Sequence, residues 1–111
     1  MRGEADSTYY QYFDLGPAFE LAVLYDGPTM TSFDIYHFSS VFTYNHGNPI
    51  NVGQTDKRYT VTRLSEDFLM PAFIMQLIRK KIANLPPEIR SFVVRGLDEY
   101  QEQHLREYAE I

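Results

Sequence analysis

Residues 65–111, SEDFLMPAFIMQLIRKKIANLPPEIRSFVVRGLDEYQEQHLREYAEI, decide the fold of this chain. Apolar residues recur every three or four positions between Phe68 and Leu85 and cover more than one narrow stripe, which is typical of a largely buried helix. A proline inside a helix removes a hydrogen bond and clashes with the preceding turn. Pro71 is therefore expected in the first turn of this helix, after a short turn over residues 65–69.

Two consecutive prolines, Pro86 and Pro87, separate this helix from a second one. Proline disfavours helix in the residue before it and suits the first helical position. An apolar stripe then lies opposite a charged one, so the second helix is predicted to be amphipathic and half exposed. Gly96 lies beside the apolar stripe, and we interpret it as a point of close approach by another element. The stripe comprises Ile89, Phe92, Val93, Leu97, Tyr100, His104 and Tyr108.

Turn residues divide the first half of the chain into strands. Residues 9–13 are aromatic enough for a strand, and the Gly-Pro pair at 16–17 ends it. Residues 19–25 predict a second strand, with Leu21, Val23 and Tyr25 on one face and Glu20, Ala22 and Leu24 on the other. The turn signal Asp-Gly-Pro at 26–28 follows it. A competing interpretation makes residues 17–25 a short helix, and periodicity alone does not decide between the two.

Two further strands are predicted before the helices. Residues 32–44 form a long run whose alternation slips at 39–40, as at a β-bulge or a break into two shorter strands. The segment NHGNP at 45–49 is predicted to form a loop, and the chain stays polar as far as Asp56. Residues 57–64 alternate again, which predicts a last strand that leads into the helices.

The predicted order is therefore a set of strands followed by two helices. Strands joined by short turns form an antiparallel sheet, and helices that follow them gather on one face. We predict an α+β fold in which an antiparallel sheet of three to four strands from the N-terminal half is packed by two C-terminal helices. Residues 1–8 are expected to form a flexible N-terminus, and residues 9–111 a single α+β domain.

Composition argues against several classes of protein. The chain has no cysteine, which excludes disulfides and thiolate metal sites. Residues 1–7 contain no apolar run, and nowhere do about 18 apolar residues follow one another. We therefore expect a protein of the cytoplasm, or of a host cytoplasm, that does not bind membranes. The glycines fit neither dinucleotide-binding nor phosphate-binding spacing, so no catalytic residues and no cofactor are predicted.

Neither a metal site nor a nucleic-acid site is predicted. Asp34, His37 and His46, with Glu20, include residue types that bind metals, but positions i and i+3 of a strand face opposite sides. Basic residues surround Tyr59 and end the first helix, yet the formal net charge is −5. Binding to a polyanion needs a coherent basic face, so direct nucleic-acid binding is not expected.

Acidic charge and tyrosine concentrate in the same half of the chain. Residues 1–56 carry seven acidic residues and one basic residue, whereas residues 57–111 carry eight acidic and nine basic residues. Six of the nine tyrosines precede residue 45. Tyrosine is enriched in protein interfaces, although the same rings also stabilise a sheet through cross-strand pairs. The residues predicted to bind a partner are Tyr9, Tyr10, Tyr12, Asp14, Glu20, Asp26, Asp34 and Tyr36.

These features favour a small acidic interaction module over an enzyme. We expect a regulator or inhibitor, of the kind that phages and mobile elements encode, whose acidic surface binds a larger protein partner, for example one that handles nucleic acid. One alternative is a ligand-binding or enzymatic domain with a pocket between sheet and helices, lined by Tyr36, His37, Phe38 and Phe73. Another is a homodimer or larger homo-oligomer that pairs an exposed helix face about a twofold axis. That face would comprise Tyr100, His104, Leu105 and Tyr108.

Overall fold

The computed structural model describes residues 7–62, 69–105 and 108. An antiparallel sheet from the N-terminal half is followed by two C-terminal helices, which confirms the predicted α+β fold. Residues 1–6 of the predicted flexible terminus lie outside the described residues, as do four of the five residues of the predicted turn at 65–69. The elements are β1 (Thr8–Asp14), β2 (Phe19–Asp26), β3 (Thr29–Asn45), β4 (Asn48–Thr60), α1 (Ala72–Lys81), a 3-10 turn (Ile82–Asn84) and α2 (Pro87–Gln103).

The four strands form a meander in which each strand pairs with its neighbours along the chain, in the order β1-β2-β3-β4. Leu21 of β2 lies opposite Phe13 of β1 on one side and Ile35 of β3 on the other. Residues directly opposite one another share a face of the sheet. The competing assignment of residues 17–25 to a short helix is therefore wrong, and the predicted strand over residues 19–25 is confirmed.

The hairpin of β3 and β4 is longer than predicted. Its turn consists of His46 and Gly47, whose φ angles of 53° and 83° are those of a type I′ turn. The loop predicted at 45–49 is shorter in the structure, because β3 extends to Asn45 and β4 begins at Asn48. Within the described chain, the part of the hairpin beyond His37 has no third strand beside it. Alternation marks a strand with one buried face, and the described side chains of the arm at 44–51 are all exposed.

Both helices pack on one face of the sheet. The core there joins Leu21, Phe33, Ile35 and Tyr59 of the strands to helix residues that include Leu97. Helix and sheet approach each other closely at Gly96, where a Cβ atom would lie 2.4 Å from Cε1 of Phe33. This contact confirms the prediction that Gly96 marks a close approach. As predicted, Pro87 is the first residue of α2.

The first helix is less buried than predicted. Ile74, Met75 and Ile78 are buried, but Phe73 is 66% exposed and Leu77 is 38% exposed. A helix on the outside of a two-layer fold buries one stripe, and its other side meets solvent. Arg79 connects α1 to α2, since its Nη2 lies 2.9 Å from Asp98 Oδ1 and donates to Gln101 Oε1 at 3.0 Å.

Candidate functional site

The two faces of the sheet differ in chemistry. The core cluster that includes both helices takes its β2 residues, Phe19, Leu21 and Val23, from one face only. We call the opposite face, which is directed away from the helices, the outer face. Strand alternation and register place on it Tyr10, Tyr12 and Asp14 of β1, Glu20, Ala22, Leu24 and Asp26 of β2, Ser32, Asp34, Tyr36 and Phe38 of β3, and Asp56, Arg58 and Thr60 of β4.

Seven of the eight residues predicted to bind a partner lie on the outer face. The exception is Tyr9, which is on the helix side and stacks on Tyr25 with ring centroids 4.9 Å apart. A strand directs successive side chains to opposite faces, so Tyr9 and Tyr10 cannot serve one surface. The structure therefore brings together Tyr10, Tyr12, Asp14, Glu20, Asp26, Asp34 and Tyr36.

Exposure on the outer face is greatest along β1. Tyr12 is 58% exposed and Tyr10 is 40% exposed, and their rings lie 6.0 Å apart. Asp14 and Asp26 are exposed, whereas Glu20 is half-buried. These side chains form a strip of phenol rings and carboxylates that is accessible to a partner.

The β3 part of the outer face is more enclosed. Asp34 is only 1% exposed and so presents almost no surface to a partner, contrary to its predicted role as a contact residue. Tyr36 is half-buried and stacks on Phe38 with ring centroids 6.2 Å apart. Burial and the nearby Asp34 raise the pKa of the Tyr36 hydroxyl, and a hydrogen bond with Arg58 opposes that rise. Tyr36 therefore keeps its proton at neutral pH.

The four residues predicted to line a pocket do not meet. Tyr36 and Phe38 lie on the outer face, His37 stacks on Phe19 on the helix side with ring centroids 4.6 Å apart, and Phe73 is exposed on α1. The structure instead contains an open groove of about 400 Å³ where the β2–β3 turn meets the start of α2. Its lining comes from distant parts of the chain, for which no local signal exists, namely Met30, Pro87, Glu88, Ser91, Phe92 and Arg95.

The helix face predicted to form a homo-oligomer interface is largely internal. Tyr100 is 6% exposed and Tyr108 is 3% exposed, so the expectation that these rings are exposed is wrong. Their hydroxyls hold the backbone of Met70 on both sides: Met70 N–H donates to Tyr100 Oη at 3.0 Å, and Tyr108 Oη donates to the Met70 carbonyl. His104 is half-buried, and only Leu105 of the predicted set is exposed, at 64%.

The described residues form neither a metal-binding cluster nor a membrane-spanning helix. Among the residues that the structure describes, no group of three or more His, Asp or Glu side chains is arranged to hold a metal ion. Asp34 and His37 lie on opposite faces of β3, and His46 lies in the exposed turn of the arm. The described helices include none that is long and apolar enough to cross a membrane.

Acidification is expected to destabilise the fold through His37. Burial and the nearby Lys57 ammonium lower the pKa of His37 below its ordinary value of 6.5. As the pH falls, His37 is therefore protonated in the unfolded chain before it is protonated in the folded chain. The stability that neutral His37 contributes is complete above pH 6.5. It declines as the pH falls from 6.5 towards the lower pKa of folded His37. Urea unfolding at pH 7.5 and at pH 5.0 measures this loss as a lower free energy of unfolding at pH 5.0.

Two variants separate this effect from the titration of other groups. His37→Phe keeps a ring against Phe19 but removes the titration, so it should lose less stability than the wild type between the two pH values. His46→Asn changes a histidine that is exposed and has φ of 53°, a conformation that asparagine tolerates. This control should keep the full pH dependence. Equal losses in His37→Phe and the wild type would rule out His37 as the responsible group.

Comparison of the chain with protein-family models, with curated proteins and with solved structures finds no match in any of the three. Function is therefore inferred from the outer face itself.

Proposed function

We propose that this chain is a small protein–protein interaction module that regulates or inhibits a larger partner, which it binds through the outer face of its sheet. The observation that carries the proposal is the exposure of Tyr10 and Tyr12 beside the carboxylates of Asp14 and Glu20 on two adjacent strands. Tyrosine contributes a large, rigid contact area at low entropic cost, and its hydroxyl tolerates both water and a protein surface.

The charge of this strip favours a basic partner. Asp14 and Glu20 lie directly opposite one another in the β1–β2 register. Like charges in that position are destabilising, and a lysine or arginine of a partner placed between them would remove the repulsion. One Asp14 oxygen, Oδ1, accepts a hydrogen bond from Gly16 N–H at 2.8 Å, which fixes the orientation of the carboxylate. Proteins that handle nucleic acid carry basic surfaces of the kind that such a strip would bind.

Carboxylates that face a basic surface accelerate association and make it sensitive to salt. The chain as a whole carries a formal charge of −5, so attraction to a basic partner extends beyond the contact itself. The Debye length is about 8 Å at physiological ionic strength, and higher salt shortens it further. Binding through the outer face is therefore expected to weaken as salt is added.

The test is affinity capture from a cell lysate with tagged wild type and two matched tyrosine variants, with and without nuclease and at two salt concentrations. Tyr12→Ala removes the most exposed outer-face tyrosine of β1, and Tyr9→Ala removes a ring of similar exposure from the same strand on the helix side. For the purified partner, Tyr12→Ala is expected to raise Kd by at least about tenfold, because interface tyrosines often contribute more than about 1.4 kcal/mol.

Charge is tested with a second matched pair. Glu20→Gln removes a carboxylate from the outer face, and Glu99→Gln removes one from an exposed position of α2. Glu20→Gln should slow association and reduce its salt dependence, whereas Glu99→Gln should have little effect on either. Recovery of the chain without a stoichiometric, nuclease-resistant partner, or equal binding by Tyr12→Ala and Tyr9→Ala, would contradict the proposal.

A further inference from the structure

Strand β1 forms one edge of the sheet, and its residues are largely exposed. β1 is the first strand in the sheet order, and six of its seven residues are exposed. Gly27 N–H donates to the Ser7 carbonyl at 2.8 Å, and Leu15 N–H donates to the Phe19 carbonyl at 3.2 Å. In an antiparallel pair, every second residue exchanges bonds with the neighbouring strand, so residues 9, 11 and 13 also bond to β2. The N–H and C=O groups of Thr8, Tyr10, Tyr12 and Asp14 therefore point away from the sheet.

The two edges of the sheet differ in how they are protected. Natural edge strands avoid pairing with other chains by means of charged side chains, proline or bulges. The edge strand β4 has all three, with Pro49 near its start, Asp56, Lys57 and Arg58 in sequence, and a register shift near Gly53. In contrast, β1 has an unbroken register with β2, no proline and no charged residue before Asp14. Of the two edges that the described strands form, the β1 edge is thus the one open to pairing.

We propose that β1 pairs antiparallel with β1 of a second copy of this chain about a twofold axis, which joins two four-stranded sheets into one sheet of eight strands. The inference uses the backbone of β1 and does not rest on the proposed function. A twofold axis at Gln11, the middle residue of β1, brings all seven residues of the strand into the pairing. Tyr10 then lies opposite Tyr12 of the second copy, and their outward N–H and C=O groups exchange hydrogen bonds.

The strand is its own complement in this register. Tyr9 lies opposite Phe13 of the second copy, so aromatic rings pair across the interface on both faces of the joined sheet. Each Asp14 lies opposite Thr8 of the second copy, so no two like charges are placed opposite each other. Gln11 meets its own equivalent in a non-hydrogen-bonded pair, because its N–H and C=O groups already bond to β2.

Cysteine cross-linking tests the register. The chain has no cysteine, so one introduced thiol is the sole thiol per chain. Cα atoms of a non-hydrogen-bonded pair are about 4.5 Å apart, within the range of a disulfide. Under mild oxidation, Gln11→Cys is expected to form a covalent dimer of twice 13.0 kDa. Thr8→Cys is the control, because the two Thr8 positions would be roughly 20 Å apart in the same pairing.

Equilibrium sedimentation tests the hydrogen bonds. Tyr10→Pro removes one outward N–H from each copy and leaves the β1–β2 bonds in place, since proline is tolerated on an edge strand whose N–H faces solvent. Tyr10→Ala removes the same side chain but keeps the N–H. We expect Tyr10→Pro to dimerise on the order of 10- to 100-fold more weakly than Tyr10→Ala, with unchanged circular dichroism.

Salt separates this proposal from the proposed function. Two copies of charge −5 repel one another, so added salt should strengthen the dimer, whereas it should weaken binding to a basic partner. The dimer proposal is overturned by a wild type that stays at 13.0 kDa at every concentration, or by cross-linking that is equal in Gln11→Cys and Thr8→Cys. Equal dimer dissociation constants for Tyr10→Pro and Tyr10→Ala would also overturn it. So would a monomeric chain whose β1 edge binds an extended peptide of another protein.

Discussion

Replacing Gly96 by alanine is expected to lower the free energy of unfolding by about 1–3 kcal/mol. Helix propensity alone predicts the opposite sign, since alanine is favoured over glycine inside a helix by about 1 kcal/mol. The close contact of Gly96 with Phe33 of β3 decides which effect is larger, the steric cost of the methyl group or the gain in helix propensity. A Cβ at position 96 would lie 2.4 Å from Cε1 of Phe33 and 2.7 Å from Cγ2 of Thr62, which is too close for either atom to stay in place.

Neither neighbour of Gly96 moves freely. Phe33 is 1% exposed and packs edge-on against Phe92, with ring centroids 5.8 Å apart. Thr62 Oγ1 accepts a hydrogen bond from Phe33 N–H at 2.9 Å, so moving the threonine methyl strains that bond. The added methyl group would therefore have to push α2 away from the sheet, and we expect the lost packing to outweigh the gain in propensity.

Urea unfolding followed by circular dichroism measures this effect, with Ser91→Ala as the propensity control. Ser91 is exposed in the same helix, so its replacement should change the free energy of unfolding by at most about 0.5 kcal/mol. Phe33→Leu creates space at the contact and should reduce the cost of Gly96→Ala in a double-mutant cycle. A stabilising Gly96→Ala would show that the helix and sheet have room for the methyl group.

Tyr100→Phe is expected to destabilise the fold by about 1–3 kcal/mol through the loss of one oxygen atom. Met70 is fully buried, and its N–H donates to Tyr100 Oη at 3.0 Å. Removing the Tyr100 oxygen leaves the buried Met70 N–H without this acceptor. Burying an N–H group that has lost its acceptor costs more free energy than an ordinary hydrogen bond contributes. The ring itself is kept, so the change in packing is small.

Tyr25→Phe is the matched control for Tyr100→Phe. The Tyr25 hydroxyl donates to Gln11 Oε1 at 2.8 Å in an exposed position, where water can replace the lost group. The same chemical change should therefore cost at most about 0.5 kcal/mol there. Unfolding midpoints of the two variants under identical conditions decide the comparison. If both lose the same amount, the Met70 contact has no special role in stability.

The elements that bury one side were predictable from the sequence. Residues 19–25 carry Phe19, Leu21 and Val23 on one face because β2 packs that face on the core. Residues 89–97 repeat at helical spacing because α2 packs by one stripe. Residues 48–56 gave no such signal, and those of their side chains that the structure describes are exposed. A sequence pattern reports burial, so strands without a buried face are not detected by it.

The candidate site was predictable in composition but not in geometry. Tyrosine and acidic residues in the first half indicated the strip on the outer face, and alternation alone could have separated Tyr9 from Tyr10. The stripe with Tyr100 and Tyr108 was correctly identified as apolar. Helical spacing, however, does not identify the residues that pack against the stripe. In the structure its hydroxyls bond to the backbone of Met70, which is 30 residues from Tyr100 and 38 from Tyr108, and no local pattern reveals such contacts.

The long hairpin has a consequence for the cooperativity of the molecule. Beyond Phe38, whose N–H donates to the Ala18 carbonyl at 2.8 Å, the described residues of β3 and β4 pair with no other strand. An isolated two-stranded hairpin is marginally stable in water. The tip can therefore unzip and reform, starting at His46 and Gly47, while the strands beneath the helices stay folded. We therefore expect the end of the β3–β4 hairpin to open locally, without unfolding of the strands that pack on the helices. A single free energy of unfolding then describes only the part of the fold that packs on the helices.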